Sequence, residues 1–581
     1  MHISQILTAL IRALTGESEN DPAWRSVGRL LLGAGLLLLA VLLMHLLSTR
    51  HAAEKAKATA KAAAAASAAK ASGRGGASAH SADPLVPNLS AAPTGPPMAW
   101  EPCRLPGVEH EARCGTLKRP LRPAGSMDGT SFELHVAVLP SLARQPLADP
   151  VLFLAGGPGQ SAISLASTVN RWLGKLRHQR DLVLIDLRGT GQSAGLHCPE
   201  DFNDHPSLAT LLAAEGQMAA LQRCREQLQR LPHGDLRYYT TSIAMQDVEA
   251  VRQSLGVAQW NLVGVSYGTR AALDYLRQYP EHVRRMVLDG VMSPDMVLPA
   301  TASASAEEAF EALLRHCEQI GSTCHKQFPA LRAQWGQLLA SVPREVVVAH
   351  PFTGRDERFL LSREGLAGLV RAPLYVPALA AGLPQAVSEA AQGRFAGLVG
   401  LAALSAVGGS DGRMSTGLYF SVVCSEDVPR LASVPDEVAS GVGTHWGAGL
   451  RQQYQDICRE WPRNPVQPVT RSLRASQAPV LLLSGDRDPV TPPRYAERVA
   501  RALGDKAVAR TVKNSGHGHL GLGCVGDLAQ RFVQEPEEEI AMSLATEDKL
   551  CHFELPYPVA MLPLSRASAV APAPQLNGGA P

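Results

Sequence analysis

Short apolar runs, each closed by a turn and followed by a helical pattern, recur along the chain from Trp100 onward. Val151 to Ala155 (VLFLA), Leu182 to Ile185 (LVLI), Asn261 to Val265 (NLVGV), Met286 to Leu288 and Val480 to Leu483 (VLLL) read as strands. Their lack of polar alternation is the mark of strands covered on both faces. Amphipathic stretches such as Ile243 to Leu255 lie between them. Strands alternating with helices predict a mostly parallel sheet with helices on both sides. About 190 residues separate the run at Met286 from that at Val480, far more than one βα connection needs. Helical patterns at Ala306 to Ile320 and Gln327 to Val342 predict a large helical cap over 301–475. The cap would divide a core into halves at 100–300 and 476–560.

The first hundred residues follow another pattern. After an N-terminal segment, 1–29, Leu30 to Leu47 is almost unbrokenly apolar, with His45 near its end. At about 18 residues it sits at the lower limit for spanning a bilayer, and it starts too late for an ordinary signal peptide. It is expected to be an uncleaved transmembrane anchor, with secretion after cleavage as the alternative. Residues 48–99, first Ala/Lys-rich and then Gly/Ser/Pro-rich, read as a linker, and 561–581 as a flexible tail.

Charge adds an exclusion. Fifty-five basic against 53 acidic side chains give a net charge of +2, with no electrostatic case for nucleic acid. The ten cysteines change the picture more. They fall as near neighbours: Cys103 and Cys114, Cys198 and Cys224, Cys317 and Cys324, Cys424 and Cys458, Cys524 and Cys551. No C-x-x-C spacing suggests zinc, so sequential disulfides explain the set best, although sequence alone leaves connectivity open. Disulfides place the large domain on the exported side, periplasmic or extracellular. Arg50, Lys55, Lys57 and Lys61 would by the positive-inside count hold that side in the cytoplasm. Long domains translocate despite such flanks, so the cysteines decide.

Candidate chemistry begins at Gly264-Val265-Ser266-Tyr267-Gly268, between a strand-like run and a helical one. In that context G-x-S-x-G is a nucleophile elbow, with Ser266 the nucleophile and the Tyr267 N–H an oxyanion donor. Gly156-Gly157-Pro158-Gly159 ends an earlier strand, and Gly157 is expected to give the second donor, with Gly156 as the alternative. Asp186-Leu187-Arg188-Gly189-Thr190-Gly191 reads as a structural loop near the elbow. Asp488, just past the strand at Val480, is the expected acid, with Asp486 as the alternative. His517, between two glycines, is the expected base, with His519 as the alternative. The chain order Ser, Asp, His is that of α/β hydrolases. No metal or other cofactor is implied.

These motifs together resemble the α/β-hydrolase serine peptidases of the proline iminopeptidase and tripeptidyl aminopeptidase type. G-G-P-G at 156–159, D-L-R-G-T-G at 186–191, G-V-S-Y-G-T at 264–269, the segment Gly485 to Pro493 and Gly516-His517-Gly518 carry the likeness. It covers roughly Trp100 to Pro558. It implies the α/β-hydrolase fold and release of residues from a free peptide N-terminus. Ala155 stands where such enzymes often carry His before G-G-P-G, which turns the expectation from proline specificity toward tripeptidyl or broader aminopeptidase activity. An aminopeptidase needs a carboxylate for the substrate ammonium, and Glu426 and Asp427 are the candidates, in a segment that a Cys424–Cys458 bridge would stiffen. The expected partners are thus a peptide with a free N-terminus and, through the anchor, a membrane. An esterase on the same scaffold is the alternative, and a catalytically dead tethered binding protein the remote one.

Overall fold

The computed structural model describes residues 95–122, 129–203, 205–408, 414–434, 449–464 and 472–546, with 551, 553–555 and 560 near the C-terminus. Nine strands form one sheet. In chain order they are β1 (Ala99–Cys103), β2 (Ala112–Pro120), β3 (Ser131–Leu139), β4 (Val151–Leu154), β5 (Leu182–Ile185), β6 (Trp260–Val265) and β7 (Val283–Asp289). A hairpin outside the sheet supplies β8 (Arg344–Ala349) and β9 (Asp356–Leu361), and β10 (Val480–Gly485) and β11 (Ala507–Val512) complete it. Its order is β1-β2-β3-β5-β4-β6-β7-β10-β11. From β5 to β11 neighbouring strands run parallel, while β1, β2 and β3 add an antiparallel edge. The mostly parallel sheet of an α/β hydrolase is therefore present.

The parallel strands are buried on both faces, and successive side chains supply two different cores. Leu152, Leu262 and Leu482 pack on one side. Val151, Phe153, Val263, Leu481 and Leu483 pack on the other. Covering helices include α1 (Thr241–Leu255), α2 (Tyr267–Gln278) and, late in the chain, helices at 493–503 and 523–534. Helix α1 stops at Gly256, whose φ of 65° gives the left-handed turn that ends a helix without a Cβ clash.

The insertion has its own core, built on Phe310, Trp335, Leu366, Val370, Leu383 and Leu398. Its helices include α3 (Leu298–Glu318), α4 (Leu331–Ser341), α5 (Arg363–Leu374), α6 (Thr416–Glu426) and α7 (Gly449–Glu460). It is not wholly helical, since the β8–β9 hairpin lies between α4 and α5. The sequence hid this hairpin because only alternate residues of β8, Val346 and Val348, are buried, too short a pattern to stand out.

All five near-neighbour cysteine pairs are disulfides, and no free cysteine remains. Cys424–Cys458 ties α6 to α7. Such bridges suggest an extracellular or exported domain. Among the described residues no helix is long and apolar enough to cross a membrane. The expected anchor at 30–47, linker residues 48–94 and the tail at 561–581 lie outside the described residues.

Candidate active site

Strand β6 ends at Val265, and the chain turns sharply into α2 through Ser266, whose φ is 56° and ψ −121°. A non-glycine residue in such a conformation stores roughly 1–3 kcal/mol, so its surroundings must enforce it. The Ser266 N–H donates to the Asp289 carbonyl at 2.8 Å. The Ser266 carbonyl accepts from the Thr269 N–H at 2.9 Å and the Thr269 hydroxyl at 2.6 Å. A Cβ at Gly268 would collide with the Leu154 carbonyl oxygen, so only glycine lets α2 start this close to β4. Ser266 itself stays partly exposed.

The G-G-P-G loop lies beside it. A Cβ built on Gly156 would sit 3.2 Å from the Ser266 Cβ. Among the described residues no acceptor takes the N–H of Gly157 or of Tyr267. Tyr267 is the first residue of α2, where N–H groups have no partner within the helix and the helix dipole favours negative charge. Two unspent amides thus flank the serine. Asp186 braces this loop from beneath. Its Oδ1 accepts from the Ser161 hydroxyl at 2.6 Å and the Ile163 N–H at 3.1 Å. Burial raises its pKa. Arg188 grips Asp247 of α1 with two hydrogen bonds of 2.7 and 2.9 Å, in keeping with a structural loop.

The structure brings Asp488 and His517 together from the loops after β10 and β11. His517 Nδ1 lies 2.7 Å from Asp488 Oδ2. A buried carboxylate only accepts, so Nδ1 carries the hydrogen and Nε2 keeps its lone pair. Asp488 also accepts the Val490 and Thr491 N–H groups, each at 2.8 Å, and the Thr491 hydroxyl at 2.7 Å. Burial opposes the charged imidazolium of His517, but the adjoining Asp488 carboxylate outweighs it and holds the pKa above its ordinary 6.5, with a further push from Asp289. The ring stands over Gly290, where a Cβ would lie 2.9 Å from His517 Cε1. Gly290 follows Asp289, whose carbonyl holds the Ser266 amide, so the imidazole lies over the end of β7, the strand beside the one that leads into Ser266.

The alternatives lie elsewhere. Asp486 is exposed. His519 is buried, its Nδ1 2.6 Å from Asp289 Oδ1, and the same carboxylate accepts the His519 and Leu520 amides. This cluster pins the loop that bears His517. Sequence reasoning missed three supports: Thr491, Asp289 and Tyr375. The carbonyl of Tyr375 accepts the His517 N–H at 2.9 Å, and its ring meets the imidazole edge-on at 5.4 Å. An Asp followed three residues later by Thr was a readable turn signal. Tyr375 comes from the insertion and had none.

The two carboxylates expected to hold an ammonium group both have partners within the protein. Asp427 is fully buried and meets Arg270 at 3.0 and 3.1 Å and Arg430 at 3.3 Å. Its charge is already matched. Glu426 accepts the Thr241 N–H at 2.6 Å and the Thr241 hydroxyl at 3.0 Å at the start of α1. The cavity it borders holds about 40 Å³ and is also lined by Arg270, Asp274 and Arg277.

Comparison with known proteins agrees with this fold. The α/β hydrolase fold family matches residues 149–370, and the TAP-like protein family matches 443–543. The chain is a serine hydrolase on the α/β-hydrolase fold. Its likeness is to the serine peptidases of the proline iminopeptidase and tripeptidyl aminopeptidase type. The serine protease Hip1 of Mycobacterium tuberculosis is 26% identical over 471 residues, 74% of this chain and 85% of its own. The tripeptidyl aminopeptidase of Streptomyces lividans is 24% identical over 481 residues, 75% and 84% of the two chains. Carboxylesterase B of M. tuberculosis is 27% identical over 442 residues, 70% and 82%.

Proposed function

We propose that the chain is an exported serine peptidase that removes short fragments or single residues from free peptide N-termini. The observation that carries the chemistry is the Asp488–His517 contact beside the strained Ser266. Ser266 Oγ attacks the scissile carbonyl as His517 Nε2 takes its proton. Asp488 keeps the imidazole in the required tautomer and offsets the charge it gains. The Tyr267 and Gly157 amides, with Gly156 as the alternative, hold the oxyanion, each worth about 3–4 kcal/mol in the transition state. His517 returns the proton to the departing amine. Water then attacks the acyl-enzyme with His517 again as base, and Ser266 is restored.

The peptide substrate rests on the peptidase names of the relatives and on the motifs. Carboxylesterase B among the relatives favours an esterase as the second reading. Hydrolysis of a tripeptide anilide and of its N-acetylated twin separates the two. The peptidase reading expects the free amine to be cleaved at least tenfold faster. Turnover of short-chain esters with neither anilide cleaved would assign the chain to the esterases.

The five disulfides support export, and the apolar run at 30–47 supports tethering to the membrane. Protease added to spheroplasts is expected to degrade the catalytic domain. A domain protected in spheroplasts and digested only after lysis would reject export.

A further inference from the structure

Arg371 is a cation that the serine chemistry leaves unused. It lies in the last turn of α5, four residues before Tyr375, so the two share a helix face. Tyr375 touches the imidazole of His517. The start of α6 docks on the G-G-P-G loop. The Ser415 N–H donates to the Gly159 carbonyl at 2.9 Å, and Met414 packs by Gly157. One turn further along α6 is Tyr419, whose hydroxyl meets that of Tyr454 on α7 at 2.5 Å. Arg371 interacts electrostatically with Tyr375, Tyr419 and Tyr454 together. It therefore stands between the wall that carries the base and the wall that covers the oxyanion loop.

All four side chains are half-buried. Among the described residues Arg371 makes no ion pair and no hydrogen bond, although a guanidinium carries five donors. Half-buried and without an ion pair among the described residues, it suits an anion. A planar fork of donors matches a carboxylate in bidentate fashion, and the tyrosine rings and hydroxyls suit the rest of a peptide. Asp427, by contrast, is already paired with Arg270 and Arg430.

We propose that Arg371 is a substrate-binding residue that receives a carboxylate of the peptide, either its free C-terminus or an acidic side chain. This rests on the peptidase reading of the Ser266 site. A carboxylate held this way is worth roughly ten- to a hundredfold in kcat/KM, chiefly through KM.

The test uses the full chain and three matched peptides with free amines. One has neutral side chains and a free C-terminus, the second is its C-terminal amide, and the third is that amide with a Glu side chain. Wild type is expected to favour a carboxylate-bearing peptide over the neutral amide at least tenfold. Preference for the first identifies the C-terminus, and for the third the side chain. Arg371→Met is expected to lower kcat/KM for the favoured carboxylate-bearing peptide at least tenfold more than for the neutral amide, and Arg371→Lys to restore part of that difference. Equal use of all three peptides by wild type would overturn the proposal. So would an equal loss by Arg371→Met on acid and amide. If no peptide is cleaved, the peptidase reading fails separately, and p-nitrophenyl succinate against p-nitrophenyl butyrate puts the same question. Wild-type preference for the succinate, lost in Arg371→Met, supports carboxylate recognition, and equal rates reject it.

Discussion

Ser266→Ala is expected to lower turnover by on the order of a millionfold while the chain stays folded. The substitution removes one oxygen and keeps the Cβ that packs near Gly156. The backbone bonds that enforce the turn, from the Ser266 amide to Asp289 and from Thr269 back to the Ser266 carbonyl, do not involve the lost hydroxyl. The unfolding midpoint should therefore change little. Residual activity would come from the unspent amides at Gly157 and Tyr267, which still polarise a bound carbonyl without a nucleophile. The kcat of purified variant and wild type on the best substrate is the measurement. A fall of less than about a hundredfold, far short of that figure, would mean that another group performs the attack.

Asp488→Asn is expected to cost about ten-thousandfold in kcat, because the replacement cannot satisfy all four donors around it. The carboxylate now accepts from Val490 N–H, Thr491 N–H, the Thr491 hydroxyl and His517 Nδ1. If the asparagine NH2 faces His517, the ring must move its hydrogen to Nε2 and loses the lone pair that takes the serine proton. If the NH2 faces the other way, it meets backbone N–H groups that also donate.

The pH dependence follows from the same contact. The base works only when neutral, and Asp488 holds its pKa above 6.5. Activity of the wild type should fall as pH drops through that raised value, so the acid limb lies higher than for an ordinary histidine. In Asp488→Asn the Asp488 contribution is gone and burial is opposed only by the lesser push of Asp289, so the acid limb of the residual activity should move to lower pH. An unmoved limb would mean that Asp488 does not set the titration of the base.

The parts of the fold legible in the sequence were those with one-dimensional signals. β4, β5, β6, β7 and β10 are buried on both faces and so appear as plain apolar runs. The elbow shows because its glycines are required by close approach, and the disulfides join cysteines near in sequence. Strand β2, in the antiparallel part of the sheet and with Arg, Lys and Thr among its residues, and β11, mostly half-buried, gave no such pattern. The partners of Glu426 and Asp427, Thr241 and Arg270, lie 185 and 157 residues away along the chain, so no local pattern reveals them. Arg371 and Tyr375 likewise gain their meaning only from the docking of the insertion onto the loops of the core.

The most direct test of the account is reaction of the folded chain with a fluorophosphonate, followed by peptide mass spectrometry to locate the adduct. One adduct on Ser266, formed faster above the raised pKa of His517 than below it and absent from Ser266→Ala, is the predicted result. An unlabelled wild type, or an adduct on another serine, would contradict it.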